Sequence, residues 1–217
     1  MKEVVIIDYE GSNLFSVKRA FEHLGISVKI SSDPGALATA TAAVLPGVGA
    51  FGAAMDRLRA LGFVEALSAY VRSQRPLLGV CLGMQLLFTN SEEFGLQQGL
   101  NIVPGSVKRF PTDGPGERAR VPQIGWNTIH PPLHGQRWQD SPLTEVPEGA
   151  FMYFVHSFYC IPDERAVIMS LTRYAGLEYC SSLRAGNIFA TQFHPEKSAQ
   201  LGLSIYRNWA RLADLLD

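Results

Sequence analysis

The sequence predicts an α/β protein: an open, mostly parallel sheet flanked by helices, with antiparallel strands added in the second half. Over roughly the first 90 residues, short apolar runs alternate with segments of helical periodicity, the pattern of a parallel sheet covered on both faces. After about residue 95, short β-prone runs separated by turn residues replace the helices. The chain has 217 residues, 47% of them hydrophobic, so we expect one domain over residues 1–217.

The first half supplies the parallel strands and the helices between them. Short apolar runs next to turn residues predict strands at residues 4–7, 28–30, 42–45 and 77–80. Apolar residues at helical spacing predict a first helix that begins near Ser12 or Asn13, either of which can cap it, and ends at Gly25. The same spacing predicts a second helix from Phe63 to Val71.

The second half is dominated by short strands. We expect them at residues 107–110, 127–130, 151–158, 167–172, 177–183 and 188–193. Prolines and glycines between Pro111 and Pro147 indicate long surface loops rather than a linker between domains. A closing amphipathic helix is expected to carry four apolar residues on one side, Leu201, Ile205, Trp209 and Leu212. Ser198 is expected as its N-cap.

The composition argues against several classes of protein. A formal net charge of −1 and an isoelectric point of 6.5 give no broad attraction to nucleic acid or to an anionic membrane, so neither is expected as a partner. Three cysteines, Cys81, Cys160 and Cys180, are too few and too odd in number for a disulfide framework, which favours the reducing cytoplasm. The N-terminus turns acidic at Glu3, too early for a signal peptide, and no apolar run reaches membrane-spanning length.

Cys81 stands at the centre of Gly79-Val80-Cys81-Leu82-Gly83, a run that reads as a strand, one tight turn and then a helix. Such a turn brings two backbones close together, so it needs small residues on both sides of the displayed side chain. The first amides of the helix would favour the thiolate of Cys81, which is the nucleophilic form of a thiol. The alternative is a buried structural cysteine, the commoner state of an isolated one.

The glycine-rich run from Pro46 to Gly52 has two interpretations. It matches Gly-x-Gly-x-x-Gly after a strand, the context of a dinucleotide-binding loop. However, it follows the third predicted strand rather than the first, and no acidic residue ends a following strand at the expected distance. We favour a loop beside the thiol, in which the amides of Val48 and Leu82 form an oxyanion hole. A purely structural turn is the remaining alternative.

A thiol nucleophile needs a base, and the base needs a group that orients it. Among five histidines, His194 stands out because Pro195 holds it extended, and residues two apart in an extended segment face the same side. Glu196 can therefore reach the imidazole. The sequence thus favours a triad of Cys81, His194 and Glu196 over a loop with an exposed ion pair. The other histidines read as solvated (His23), as loop residues (His130, His134) and as a satisfied core or edge histidine (His156).

The cysteine motif and Gln192-Phe193-His194-Pro195-Glu196 together resemble the class I, triad-type glutamine amidotransferases, and the resemblance covers essentially the whole chain. Three further runs are similar to the glutaminase subunits of imidazole glycerol phosphate synthase: Pro46 to Gly52, Pro122-Gln123-Ile124-Gly125-Trp126-Asn127 and Tyr153-Phe154-Val155-His156-Ser157. The resemblance implies a flavodoxin-like fold and hydrolysis of L-glutamine through a cysteine thioester, without a metal or an organic cofactor. It also implies that the ammonia passes to a partner, a (β/α)8-barrel cyclase subunit in histidine biosynthesis.

The resemblance further implies residues outside the triad. The glutamine would be held by Gly49, Gln85, Glu93, Ser157 and Phe158. Phe158 departs from the tyrosine of the family pattern, which puts any contact through a phenol hydroxyl in doubt. The interface with the cyclase would include Asn13, Trp126, Tyr153 and Lys197. By residue type alone these residues have ordinary structural readings, since polar side chains cap helices or meet solvent and aromatic ones pack in cores.

Three other activities stay open on the sequence. The first is a free-standing thiol amidohydrolase or peptidase that needs no partner. The second is a glutaminase that feeds another ammonia acceptor, such as a pyridoxal phosphate synthase. The third is a non-catalytic module that binds a nucleotide on the glycine-rich loop.

Overall fold

The computed structural model describes residues 2–11, 13–111, 120–132 and 138–216. Its strands are β1 (Val4–Ile7), β2 (Val28–Ser31), β3 (Ala42–Leu45), β4 (Leu77–Val80), β5 (Phe88–Ser91), β6 (Gln97–Gln98), β7 (Val103–Arg109), β8 (Gln123–Ile129), β9 (Ala150–His156), β10 (Phe158–Pro162), β11 (Ile168–Tyr174), β12 (Leu177–Ala185) and β13 (Ile188–Thr191). Its α-helices are α1 (Leu14–His23), α2 (Phe51–Ala60), α3 (Phe63–Arg72), α4 (Leu82–Leu86) and α5 (Ala199–Leu212). Short 3-10 helices lie at Pro34–Ala38, Arg165–Val167 and Pro195–Lys197.

The main sheet, within these ranges, has the strand order β2-β1-β3-β4-β13-β12-β10-β7-β5-β6, and β11 pairs with β12 beside that path. Strands β2, β1, β3, β4 and β13 run parallel to one another. Strands β12, β10 and β7 then follow in antiparallel order. Strands β8 and β9 form a separate antiparallel ribbon. The predicted fold class, a mostly parallel sheet with antiparallel strands from the second half of the chain, is confirmed.

Both faces of the parallel strands are buried, which explains why β1 consists of apolar residues alone. Neighbouring side chains of a strand point to opposite faces of the sheet. Val5 and Ile7 therefore pack in one core with helices α2 and α3, while Val4 and Ile6 pack in the other with α1 and α5. The sheet is thus the middle of three layers.

Three adjacent parallel strands bring the predicted site residues to one edge of the sheet. β4 lies between β3 and β13, and parallel strands present their carboxyl ends on the same side. The glycine-rich run follows β3, Cys81 follows β4, and His194 comes just after β13. The topology therefore brings together loops that are far apart in the sequence.

Several element predictions need correction. Helix α2 (Phe51–Ala60) was not predicted, because the glycine-rich run at its start obscures the helical spacing. The expected strand at 151–158 is two strands, β9 and β10, which are separated by Ser157. Strand β8 begins at Gln123 rather than at residue 127.

The two predicted helix caps do not act as caps. Asn13 occupies the N-cap position of α1, and Ser198 that of α5, but neither side chain makes a capping hydrogen bond. The alternative cap, Ser12, lies outside the described residues, as does His134. Among the helices of the described ranges, none has both the length and the apolar character needed to cross a membrane.

Gly83 is the residue on which the turn after β4 depends. A Cβ atom at this position would lie 1.7 Å from the carbonyl oxygen of Leu45, a backbone atom of β3. We expect Gly83→Ala to lower the free energy of unfolding by about 3 kcal/mol or more, because neither backbone can withdraw without distorting the sheet. Urea denaturation measures this change. The matched control, Ser16→Ala on the exposed side of α1, should change the same quantity by less than about 0.5 kcal/mol.

Candidate active site

Cys81 sits on a sharp turn between β4 and α4. Its backbone has φ 53° and ψ −108°, a conformation that few side chains adopt and that recurs at functional turns. Its amide donates a hydrogen bond of 2.7 Å to the carbonyl of Thr191, the last residue of β13. The side chain is only 4% exposed, yet it lines a cavity of about 450 Å³. The thiol is therefore held by the sheet and still open to a small molecule.

His194 and Glu196 form a buried pair beside this turn. Nδ1 of His194 lies 2.7 Å from Oε1 of Glu196, and both side chains are 0% exposed. The backbone of His194 is extended, as predicted from Pro195. Its amide donates to the carbonyl of Tyr153 at 2.9 Å, which fixes the loop against β9. Nε2 of His194 is buried and has no hydrogen bond of normal geometry to any described residue.

The charges of this cluster support one another. Burial alone would lower the pKa of the His194 imidazole, but the Cys81 sulfur and the bonded Glu196 carboxylate outweigh burial and hold that pKa well above its usual range. Burial would likewise raise the pKa of Glu196, whereas hydrogen bonds from His194 and Asn13 keep it below its usual range. The arrangement therefore favours the protonated form of His194 beside an ionised Glu196.

The glycine-rich loop lies against the start of α4. One of its carbonyl groups, that of Gly47, accepts a hydrogen bond of 3.3 Å from the Leu82 amide, which was predicted to bind an oxyanion. One residue earlier, the Pro46 carbonyl accepts a hydrogen bond of 2.9 Å from the buried hydroxyl of Tyr9. Gly49, in contrast, has φ 122° and open space around it. The loop is thus fixed at Pro46 and free to turn at Gly49.

All five residues predicted to hold glutamine line the same cavity as Cys81: Gly49, Gln85, Glu93, Ser157 and Phe158. The Nε2 atom of Gln85 donates to the Phe158 carbonyl and to Oε1 of Gln192, each at 3.0 Å. Glu93 accepts a hydrogen bond from the amide of Phe51 at the start of α2. Val48, Leu82 and Lys197 also line this cavity. Within the described ranges, no three His, Cys, Asp or Glu side chains come close enough to hold a metal ion.

Of the four predicted interface residues, Lys197 lines this cavity, and the other three do not. Trp126 and Tyr153 are cross-strand partners in the ribbon, with ring centroids 6.1 Å apart. The Lys197 ammonium lies 5.9 Å from the centroid of the Tyr153 ring. Asn13 turns inward, and its Nδ2 donates to Oε1 of Glu196 at 2.6 Å.

Four residues of the site were missed or undervalued from the sequence. Gln192 donates to the Cys81 sulfur at 3.7 Å, and its place in the His194 motif was a usable signal. His156 lines the cavity, and burial lowers its pKa to about 4, so its ring is neutral. Tyr9 and Tyr206 hold groups of the site through their hydroxyls. No local pattern marks either tyrosine, because each contact is made across the fold.

The comparison with known families agrees with this geometry. The model of the family "Glutamine amidotransferase class-I" matches residues 5–211. The chain therefore belongs to the class-I glutamine amidotransferases, and the resemblance of its motifs is confirmed.

Within this family, individual proteins are similar to the chain over nearly its full length. The imidazole glycerol phosphate synthase subunit HisH of Syntrophotalea carbinolica is 48% identical over 209 residues, which are 95% of this chain and 98% of that protein. The chloroplastic imidazole glycerol phosphate synthase hisHF of Arabidopsis thaliana is 44% identical over 207 residues, 95% of this chain and 33% of that protein. A crystal structure of a glutamine amidotransferase has a TM-score of 0.73 at 18% identity, covering 97% of this chain and 98% of the other, and supports the fold alone.

The three cysteines should differ sharply in reactivity. Cys81 lines the cavity beside His194, whereas Cys160 and Cys180 line a different cavity of about 570 Å³, and burial raises the pKa of both of these thiols. We expect a chloroketone analogue of glutamine to alkylate Cys81 at least about tenfold faster than either of the others. Peptide mass spectrometry after short exposure gives the three rates. Equal labelling of Cys81 and Cys160 would contradict this assignment of the reactive thiol.

Proposed function

We propose that this chain hydrolyses L-glutamine to glutamate and ammonia as the glutaminase subunit of imidazole glycerol phosphate synthase in histidine biosynthesis. The observation that carries the proposal is the buried cluster of Cys81, His194 and Glu196 at the edge of a cavity sized for an amino acid. The 48% identity to a HisH subunit over nearly the full length of both chains supports the choice of pathway.

The chemistry follows from the order of the three side chains. The Cys81 thiolate attacks the side-chain amide carbon of glutamine, and the carbonyl oxygen becomes an oxyanion. The His194 imidazolium gives its proton to the amide nitrogen, which departs as ammonia. The glutamyl group then remains bound to the sulfur as a γ-glutamyl thioester. The neutral imidazole then takes a proton from water as the water attacks the thioester, and glutamate leaves as the thiolate is restored. Glu196 keeps Nδ1 protonated throughout.

The oxyanion needs donors that the resting loop withholds. The Leu82 amide is bonded to the Gly47 carbonyl, so it cannot serve the oxyanion in this conformation. A rotation of the peptide between Gly47 and Val48 would remove that carbonyl and bring the Val48 amide to the same place. Tyr9 holds the residue before this peptide, and Gly49 offers the freedom after it. We infer that docking of the partner favours the rotated loop.

The substrate would lie along the cavity between the loop and strand β10. The residues we assign to it are the backbone at Gly49, Ser157 and Phe158 and the side chain of Gln85. Glu93 is our candidate for the α-ammonium group, since it is the carboxylate of the cavity lining. Phe158 contributes its backbone carbonyl, which already accepts from Gln85. No phenol hydroxyl is needed for that contact.

The partner we propose is the cyclase subunit, a (β/α)8 barrel that consumes the ammonia to form imidazole glycerol phosphate and an aminoimidazole carboxamide ribotide. Ammonia released into water would be protonated and lost, so the site should open toward that partner. The apolar face of the ribbon suits such docking, because Ile124, Trp126 and Phe151 are 63%, 53% and 59% exposed. Lys197 adds a positive charge beside Tyr153, and we assign Asn13, which donates to Glu196, to the same interface.

Removal of the thiol separates the two halves of the reaction. In the complex with the cyclase, we expect Cys81→Ala to lower glutamine-dependent synthesis by about a thousandfold or more, while synthesis from added ammonium survives. Product formation is followed with each nitrogen source in turn. Retained glutamine-dependent synthesis would overturn the thioester route. A cyclase that shows no dependence on this chain would instead favour another ammonia acceptor or a free-standing amidohydrolase.

The resting loop predicts low activity of the chain alone. Because the Gly47 carbonyl blocks the Leu82 amide, we expect the isolated chain to hydrolyse glutamine at least about a hundredfold more slowly than the complex with the cyclase and its nucleotide substrate, the cost of an absent oxyanion donor. Glutamate release measures both rates. Fast turnover by the isolated chain would show that the loop does not limit the reaction.

A further inference from the structure

The carboxylate of Glu196 is held by hydrogen bonds at both oxygens. Oε1 accepts from Nδ1 of His194 at 2.7 Å and from Nδ2 of Asn13 at 2.6 Å. Oε2 accepts from the hydroxyl of Tyr206 at 2.9 Å. Tyr206 lies on helix α5, outside the loop that carries His194 and Glu196, and its side chain is fully buried. Burial raises the pKa of Tyr206 well above its usual range, so the hydroxyl keeps its proton and donates it.

The position of Tyr206 is fixed by packing rather than by the carboxylate. Its ring stacks on Phe21 of α1, with centroids 4.9 Å apart and planes inclined by 23°. Helix α5 itself lies tight against the triad loop, since a Cβ at Gly202 would come within 1.9 Å of the Pro195 carbonyl oxygen. The hydroxyl is thus presented to Oε2 by a rigid element, which is what positioning of a buried ion requires.

We propose that Tyr206 is a positioning residue of the glutaminase reaction, whose hydroxyl fixes the plane of the Glu196 carboxylate so that Oε1 stays directed at Nδ1 of His194. The inference rests on the function proposed above. Tyr206 thus affects the reaction by orienting Glu196, which in turn holds His194, and it does not contact glutamine. Tyr206 lines none of the cavity that contains Cys81.

Loss of the hydroxyl has a defined electrostatic consequence. Oε2 would be buried without a donor, so the carboxylate would turn or bind a proton more readily, and it would stabilise the His194 imidazolium less. The groups that face this pair are Cys81 and the neutral His156 on the side of the cavity, Asn13 from the loop before α1, and Tyr206 from α5. Lys197, next in sequence to Glu196, is exposed and turned toward Tyr153. An imidazolium that is stabilised less loses its proton at a lower pH, so the pKa of His194 falls.

The test is Tyr206→Phe in the complex with the cyclase. We expect kcat for glutamine hydrolysis to fall about tenfold to thirtyfold, the cost of an unpaired buried acceptor, while KM stays within about twofold. The alkaline limb of the pH profile of kcat/KM, where the His194 imidazolium loses its proton, should move downward by about one pH unit. Rates are divided by the concentration of active sites, which is measured from the amount of Cys81 that a glutamine analogue alkylates. A smaller folded fraction therefore does not lower the calculated kcat.

Two controls separate positioning from general packing. Tyr70→Phe removes another buried hydroxyl, which donates to the Pro76 carbonyl at 2.9 Å and lies outside the cavity lining, and it should leave kcat and the alkaline limb unchanged. In a Glu196→Gln background, Tyr206→Phe should add little to the loss in kcat, because the group through which it acts is already altered.

The outcomes are distinct. An unchanged kcat and alkaline limb in Tyr206→Phe, or losses that multiply in the double variant, would overturn the inference. A wild-type complex without glutaminase activity would instead refute the proposed function.

Discussion

The hydrogen bond from the Cys81 amide to the Thr191 carbonyl joins the two halves of the chain at the point where the chemistry is proposed. It continues the parallel ladder between β4 and β13, which pairs Val80 with Thr191. Because β13 is held in register, the chain that leaves it delivers His194 to the turn after β4. The pair of His194 and Glu196 would otherwise be an ordinary ion pair in a loop. The sheet therefore decides which distant residues meet, and the local motifs decide what they can do once they meet.

The ribbon of β8 and β9 shares backbone contacts with the triad. The Tyr153 carbonyl accepts from the His194 amide, and the Tyr153 amide donates to the Ser198 hydroxyl, which in turn donates to the His194 carbonyl. The surface proposed for docking and the base of the proposed reaction are thus linked by three short bonds. A partner seated on Trp126 and Tyr153 would press on the strand that holds His194, and this gives the proposed activation a physical route.

Much of the fold was predictable because the signals are local: alternating apolar runs define the parallel strands, and the glycines around Cys81 define its turn. The triad was predictable because two short motifs fix the local geometry of its members. Pro195, for example, holds His194 extended, so that Glu196 can reach the imidazole. The errors in the roles of Asn13, Ser198 and Tyr206 share a cause, which is a side chain that bonds to the segment from His194 to Glu196. Asn13 and Ser198 stand at helix starts, but Glu196 and His194 take their hydrogen bonds. Tyr206 approaches Glu196 from a helix ten positions further along the chain, and no pattern in that helix distinguishes a tyrosine that packs from one that also donates.

The three tryptophans differ strongly in solvent exposure, so the intrinsic fluorescence of the protein can report on the ribbon. Trp138 and Trp209 are 8% and 3% exposed, whereas Trp126 on the ribbon is 53% exposed. In the folded protein the two buried indoles are shielded from solvent, so docking of a partner on the ribbon should change the emission of Trp126 first. The separation of the ribbon from the main sheet also means that this signal follows the movement of two strands rather than melting of the fold. Titration with a second protein can therefore be read without an attached dye.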